Sequence, residues 1–201
     1  MNATERNDLL ISWITLSAAF ALVISDQFFN LMSLAEALPT ALIAVGTGFV
    51  FHEMAHRQAA RHFGFHAEFR AWMGGLAFAL LIAIATGGRF IFAAPGATYI
   101  FAQDISREKN GKISIAGPAT NLIIGFALLI AAVAVGGSFS TVLGSAALIN
   151  FYFAFFNMLP FGPLDGVKVM TWSRPIWAGT IAVAAVMSFM PEAVLMLFGA
   201  A

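Results

Sequence analysis

Hydrophobic residues occur in long runs along the chain, with short polar stretches between them, and ionisable residues interrupt one run, at 39–63. The apolar segments lie at 9–25, about 39–63, 73–86, 113–135, about 141–159 and 176–198. A hydrocarbon core about 30 Å thick requires roughly 20 apolar residues of helix. Most of these segments therefore predict transmembrane helices. Segment 73–86 is short for a span, and Gly87-Gly88 follows it.

Composition supports a membrane protein and excludes several other classes. Of the 201 residues, 60% are hydrophobic and 10% are charged, whereas a soluble domain has about 45–50% apolar and about 25% charged residues. Lys+Arg and Asp+Glu number ten each, so the chain lacks the basic surface of a nucleic-acid-binding protein. Since it has no Cys, a disulfide framework and a thiolate zinc site are excluded. We expect a single transmembrane domain over residues 1–201.

The positive charges predict how the chain crosses the membrane, because Lys and Arg accumulate in cytoplasmic loops. If segment 71–105 makes no net crossing, all ten positive charges face the cytoplasm, and the loops at 26–37 and 136–141 lie outside. A re-entrant hairpin or a pair of short spans satisfies this condition, and residues 89–92 and 97–101 have β-type composition. We therefore predict an all-α, multi-span bundle of about six apolar segments. It has five crossings, a re-entrant or β-type insert on the cytoplasmic side, and an N-terminus inside.

The second apolar segment contains the sequence HEMAH at residues 52–56. Residues four apart project to one face of a helix, so His52 and His56 can bind one Zn²⁺ while Glu53 reaches its water as general base. His52 lies roughly 20 Å into the bilayer, counted at about 1.5 Å per residue. Ionisable groups at that depth are costly and usually functional. This depth favours a metal site over a solvated helix with two unremarkable histidines.

Zinc in a catalytic site needs a third protein ligand, and three residues are candidates. His62 lies about 240° around the helix from His56, so we interpret it as an interfacial residue. Glu68 falls beyond the predicted membrane edge. Asp165 follows the fifth span, which returns to the side of His52 and His56, and helix-breaking prolines precede it. We favour Asp165 over the alternative that it only terminates a helix.

Three stretches together resemble the site-2 protease family of intramembrane zinc metalloproteases: HEMAH at 52–56, IAGPATN at 115–121 and NMLPFGPLDG at 157–166. The resemblance implies one zinc ion per chain, bound by His52, His56 and Asp165. It also implies that Glu53 is the catalytic base and that Asn157 stabilises the transition state. The chain has no room for a PDZ or CBS module, and its apolar 71–105 insert differs from the short β-rich stretch expected in the family.

The predicted activity is hydrolysis of a peptide bond in or near a transmembrane segment of a membrane-protein substrate. Glu53 takes a proton from zinc-activated water and delivers it to the leaving amine. Asn157 donates a hydrogen bond to the developing oxyanion, or merely packs spans together. An exposed strand edge within 90–101 holds the substrate by strand addition. Asn121, Gly48 and Gly117 are interpreted as helix-packing residues.

Two functions of other classes remain open: a metal-binding membrane transporter, and a non-catalytic membrane scaffold that uses the same His and Asp residues. No further acidic or His residues continue a route through the spans, which argues against transport. We expect a multi-pass protein of the cell membrane with its site toward the cytoplasm. Its expected partners are the lipid bilayer and a membrane-protein substrate, without nucleic acid. The sequence leaves the oligomeric state open.

Overall fold

Helices dominate the computed structural model, which describes residues 1–25, 27, 30–92 and 94–190. In this part of the chain the elements are, in order, α1 (Ala3–Ile24), α2 (Leu31–Val45), a π-helical turn (Gly46–Val50), α3 (Phe51–His62), β1 (His66–Ala71), α4 (Met73–Ala85), β2 (Gly96–Phe101), α5 (Arg107–Val135), α6 (Gly137–Asn157), α7 (Asp165–Trp172) and α8 (Arg174–Phe189).

Four helices among the described residues are long and apolar enough to cross a membrane: Ala3–Ile24, Leu31–His62, Arg107–Val135 and Gly137–Asn157. The second combines α2, the π-helical turn and α3. These helices confirm the prediction of a membrane protein. The prediction of about six apolar segments with five crossings is not confirmed as a count of spans: α4, expected to be too short to cross, has 13 residues, and α8, the expected fifth crossing, has 16 described ones. The end of the 176–198 segment, from residue 191 onward, lies outside the described residues.

The second long helix begins earlier than its hydrophobic pattern predicts. Asn30 caps it, because its side chain accepts hydrogen bonds from Met32 N and Ser33 N. Pro39 therefore lies inside α2 and not at its start. Glu36 lies on the helix, so the expected 26–37 loop is shorter than predicted. Asp26 of that loop is outside the described residues.

A two-stranded antiparallel sheet joins the short segments between the spans. Ala71 of β1 pairs with Gly96 of β2, so the chain that leaves the sheet into α4 returns to the same place. This pairing agrees with a 71–105 segment that makes no net crossing. The predicted β-type stretch 97–101 lies in β2, whereas 89–92, also described, forms no strand. β1 was not predicted from the sequence.

Helix α3 lies between the sheet and α5. α3 packs on α5, which in turn packs on α6 and α7. On the opposite side, a buried cluster joins α1, α2, the π-helical turn, β1 and α4 through Leu9, Leu16, Val45, Phe49, Phe69, Leu76 and Ala79. The buried side chains of α3, among them His52, Glu53 and His56, are therefore enclosed by elements from distant parts of the sequence.

Candidate metal centre

Two histidines and one aspartate converge where α3, α5 and the start of α7 meet. His52 Nε2 lies 2.9 Å from His56 Nε2. Asp165 Oδ2 lies 3.3 Å from His52 Nε2 and 2.9 Å from His56 Nε2. All three side chains are buried. Zinc bonds of about 2.0–2.2 Å in a tetrahedron place ligand atoms about 3.4 Å apart, so a small expansion of this group could hold the metal.

The hydrogen bonds behind the two rings direct their lone pairs toward the group. His56 Nδ1 lies 2.8 Å from the Ile113 carbonyl oxygen, which only accepts, so Nδ1 carries the hydrogen. His52 Nδ1 lies 2.6 Å from Asn121 Oδ1 and donates to it in the same way. In its neutral form, which is the form that binds a metal, each ring therefore presents an Nε2 lone pair toward Asp165. Two imidazole nitrogens and a carboxylate oxygen are a donor set that fits zinc.

Gly117 allows α5 to approach the two rings closely. A Cβ atom at this position would lie 2.5 Å from His56 Nε2 and 2.6 Å from His52 Nε2. Any side chain would therefore displace the candidate ligand atoms. Gly117, predicted to be a helix-packing residue, thus permits close packing at the candidate metal centre itself.

A tight turn after α6 delivers Asp165 to the site. α6 ends at Asn157, and Asp165 is the first residue of α7. Gly162 takes a φ of 63°, which glycine adopts without strain. A Cβ on Gly166 would lie 2.2 Å from the Met158 carbonyl oxygen. The helix-breaking residues predicted from the sequence thus bring Asp165 back to the histidines of α3.

Glu53 faces the same cavity as the three candidate ligands. The cavity has a volume of about 460 Å³, and its lining includes Glu53, Thr98 and Asn157. Thr98 Oγ1 lies 2.7 Å from Glu53 Oε2 and donates to it. Sequence reasoning missed Thr98, because its position opposite Glu53 depends on the pairing of β2 with β1.

Asn157 lies at the cavity with its side-chain donor in use. Its Nδ2 donates to the Phe153 carbonyl oxygen of the same helix at 3.0 Å. The structure thus places Asn157 at the cavity, and its role in stabilising a transition state stays a prediction.

The rejected third-ligand candidates take part in other contacts. His62 is exposed and packs edge-on against Phe63. Glu68 accepts a hydrogen bond from Asn2 at 2.8 Å and pairs with Arg70. Desolvation alone would raise the pKa of Glu68. The charge of Arg70 and the hydrogen bonds from Asn2 and His66 have a larger, opposite effect, so the pKa lies below its usual value. Glu68 is therefore a charged member of a surface network.

A comparison with known proteins decides the family. A curated protein of Methanocaldococcus jannaschii, named "Putative zinc metalloprotease", is 45% identical over 140 residues, which cover 69% of this chain and 72% of that protein. The chain belongs to this zinc metalloprotease family. No family model and no solved structure matches the chain. The His52, His56 and Asp165 group gives this member of the family the donor set that a zinc site needs.

Proposed function

We propose that the protein is an intramembrane zinc metalloprotease of the site-2 type. The observation that carries the proposal is that Asp165 converges with His52 and His56 beside Glu53. The two histidines and Glu53 lie on a helix long and apolar enough to span a membrane. A soluble metalloprotease has no need of such a helix. A site on it is suited to a peptide bond in or near a substrate's transmembrane segment.

Each side chain has a defined part in the proposed hydrolysis. His52, His56 and Asp165 hold one zinc ion, which when bound supplies Lewis acidity and lowers the pKa of water. Glu53 accepts the proton of the attacking water and returns it to the leaving amine. Asn157 donates to the oxyanion after release from its own helix, an effect worth about 10²–10³ in rate in favourable cases.

The sheet offers an edge for an extended substrate. The outer edge of β1 is covered by α1, because Phe69 N donates to Glu5 and Ala71 N donates to Asp8. Residues 94–98 next to and within β2 line the cavity, and the register leaves the other edge of β2 away from β1. Pairing at this edge would place a substrate strand next to Glu53. The substrate is a membrane protein whose transmembrane helix unwinds locally.

The proposed setting is the cell membrane, with several crossings and the site toward the cytoplasm. Arg61 lies at the end of the helix that carries the histidines and Arg70 lies on β1, which follows it, and Lys and Arg favour the cytoplasmic side. Water then reaches Glu53 from the cytoplasm over a short distance.

The proposed function is tested by Glu53→Gln in detergent-purified protein supplied with a single-span substrate. We expect cleavage to be lost while one equivalent of zinc stays bound, because the amide cannot accept the water proton. Glu36→Gln, an exposed change on α2, is the matched control and should cleave normally. Unchanged cleavage by Glu53→Gln contradicts the assignment of the base. Zinc flux into sealed vesicles without cleavage would instead indicate a transporter.

A further inference from the structure

We propose that Asn121 is a positioning residue of the metal centre, held in place by Asn150 and Thr47. It accepts the Nδ1 hydrogen of His52 and thereby keeps the Nε2 lone pair of that ring directed toward zinc. The inference rests on the proposed zinc site and extends it beyond its ligands to a polar network of α5, α6 and the π-helical turn.

The contacts of Asn121 fix which way its amide points. The residue is fully buried. Its Nδ2 donates to the Gly48 carbonyl oxygen at 2.7 Å and to Asn150 Oδ1 at 3.2 Å. A flipped amide would place its oxygen against these two acceptors. Asn121 Oδ1 therefore faces His52, 2.6 Å from Nδ1, and only a hydrogen on Nδ1 satisfies the pair.

Asn150 holds this orientation from the neighbouring helix. It is also fully buried. Its Nδ2 donates to Thr47 Oγ1 and to the Ala146 carbonyl oxygen, both at 2.9 Å. These two donations leave Asn150 Oδ1 to accept from Asn121. The orientation of the Asn150 amide thus fixes that of the Asn121 amide, which in turn requires the hydrogen of His52 to lie on Nδ1.

The network also supports the backbone directly before the metal-binding residues. Thr47 and Gly48 belong to the π-helical turn Gly46–Val50, and both accept from the amide pair. π-Helical turns are rare and often lie at functional sites. This turn sets the angle at which α3 presents His52, and two buried amides fix it between α5 and α6. If Asn121 and Asn150 only linked neighbouring helices, their hydrogen bonds would not need to extend to His52, a candidate metal ligand.

Loss of the Asn121 oxygen has a specific expected consequence for metal binding. Without it, His52 is free to carry its hydrogen on Nε2, where no lone pair remains for zinc, and the ring is free to turn. Removing a partner of this kind typically lowers metal affinity by about 10–100-fold. Asn150 does not touch a ligand, so its loss should lower affinity less.

The experiment measures zinc affinity by chelator competition in detergent-purified protein, together with the absorption spectrum of the Co²⁺-substituted site. For Asn121→Leu we expect about 10–100-fold weaker zinc binding and an altered Co²⁺ spectrum. Asn121→Asp keeps an acceptor oxygen for His52 but loses the donor to Gly48 and Asn150, so it should bind zinc more tightly than Asn121→Leu while the metal-free protein unfolds at a lower temperature than the unmodified one. Thr180→Val removes a hydroxyl that donates within α8 and should change neither readout.

Zinc affinity within twofold of the unmodified protein in folded Asn121→Leu would overturn the inference. Thermal unfolding of the metal-free protein shows whether that variant folds. If Asn121→Leu does not fold, the zinc affinity of Asn150→Leu is measured in its place. A zinc affinity equal to that of the unmodified protein would overturn the role of the network. Because these measurements use no substrate, a protein that binds zinc but cleaves nothing contradicts the proposed protease and not the role of Asn121.

Discussion

At the scale of single residues, Glu53 depends on a side chain from another element for its orientation. Thr98 on β2 donates to one carboxylate oxygen of Glu53 at 2.7 Å. The same hydroxyl lies 3.1 Å from the backbone oxygen of Glu53. Hydrogen bonds to charged groups contribute about 1.5–3 kcal/mol. Thr98 therefore holds the base in one rotamer and joins it to the strand on which we place the substrate.

Thr98→Val should lower kcat by about tenfold or more, because it deletes a hydrogen bond to a charged group at nearly constant shape. Zinc affinity should not change, since Thr98 touches no candidate metal ligand. Thr98→Ser keeps the hydroxyl and should restore most of the activity. Steady-state cleavage of a single-span substrate measures the effect. Equal kcat for the Val variant and the unmodified protein would show that Thr98 does not position the base.

At the scale of elements, α1 is joined to α3 and β1 by a buried ion pair. Glu5 is fully buried, and Arg57 is 9% exposed. Arg57 Nε lies 2.6 Å from Glu5 Oε1, and Phe69 N donates to the same oxygen at 3.2 Å. Arg57 follows His56 directly, and Phe69 pairs with Thr98. One carboxylate near the N-terminus thus fixes both the helix with the histidines and the strand beside Glu53.

Glu5→Gln should destabilise the protein by about 3–5 kcal/mol, because it leaves the buried Arg57 charge without its counter-ion. The matched control is Asp8→Asn, which makes the same chemical change on the same helix. Asp8 is half-buried and accepts from Ala71 N, so its neutralisation should cost much less. Unfolding of both variants by SDS in mild detergent gives the difference. Equal stabilities for the two variants would contradict a structural role for the ion pair.

Elements and site residues could be predicted from the sequence where their signal is local. The long helices follow from apolar runs, and His52, Glu53 and His56 follow from helical spacing. Asp165 needed a second signal, the helix-breaking prolines before it. β1 was missed although its six residues alternate polar and apolar types as a half-buried strand does, and its partner β2 is distant in sequence. The roles of Thr98 and Asn121 depend on contacts between segments far apart in sequence, which periodicity does not record.

At the scale of the whole molecule, the small number of charged residues serves two purposes, membrane orientation and formation of the candidate metal site. All Lys and Arg residues except the buried Arg57 occur between apolar segments or at their ends, where they favour one side of the membrane. Glu53 and Asp165 are instead buried, on the elements that form the metal centre. The pairing of Ala71 with Gly96 explains how segment 71–105 begins and ends at one sheet. These features support the proposed topology, in which the basic loops and the cavity lie on the same side of the membrane.

This topology predicts that residues 89 and 107 are accessible from the cytoplasm and residue 138 from the opposite side. The chain has no native cysteine, so Arg89→Cys, Arg107→Cys and Ser138→Cys each provide a single labelling site on an exposed residue. A membrane-impermeant maleimide should label position 138 in intact cells, and positions 89 and 107 only in inside-out vesicles. Ser138 follows the break at Gly136, where α5 ends, so it reports the far end of a full span. Labelling of position 107 from outside would show that segment 71–105 crosses the membrane, and labelling of position 89 alone from outside would show a pair of short spans and not a re-entrant hairpin.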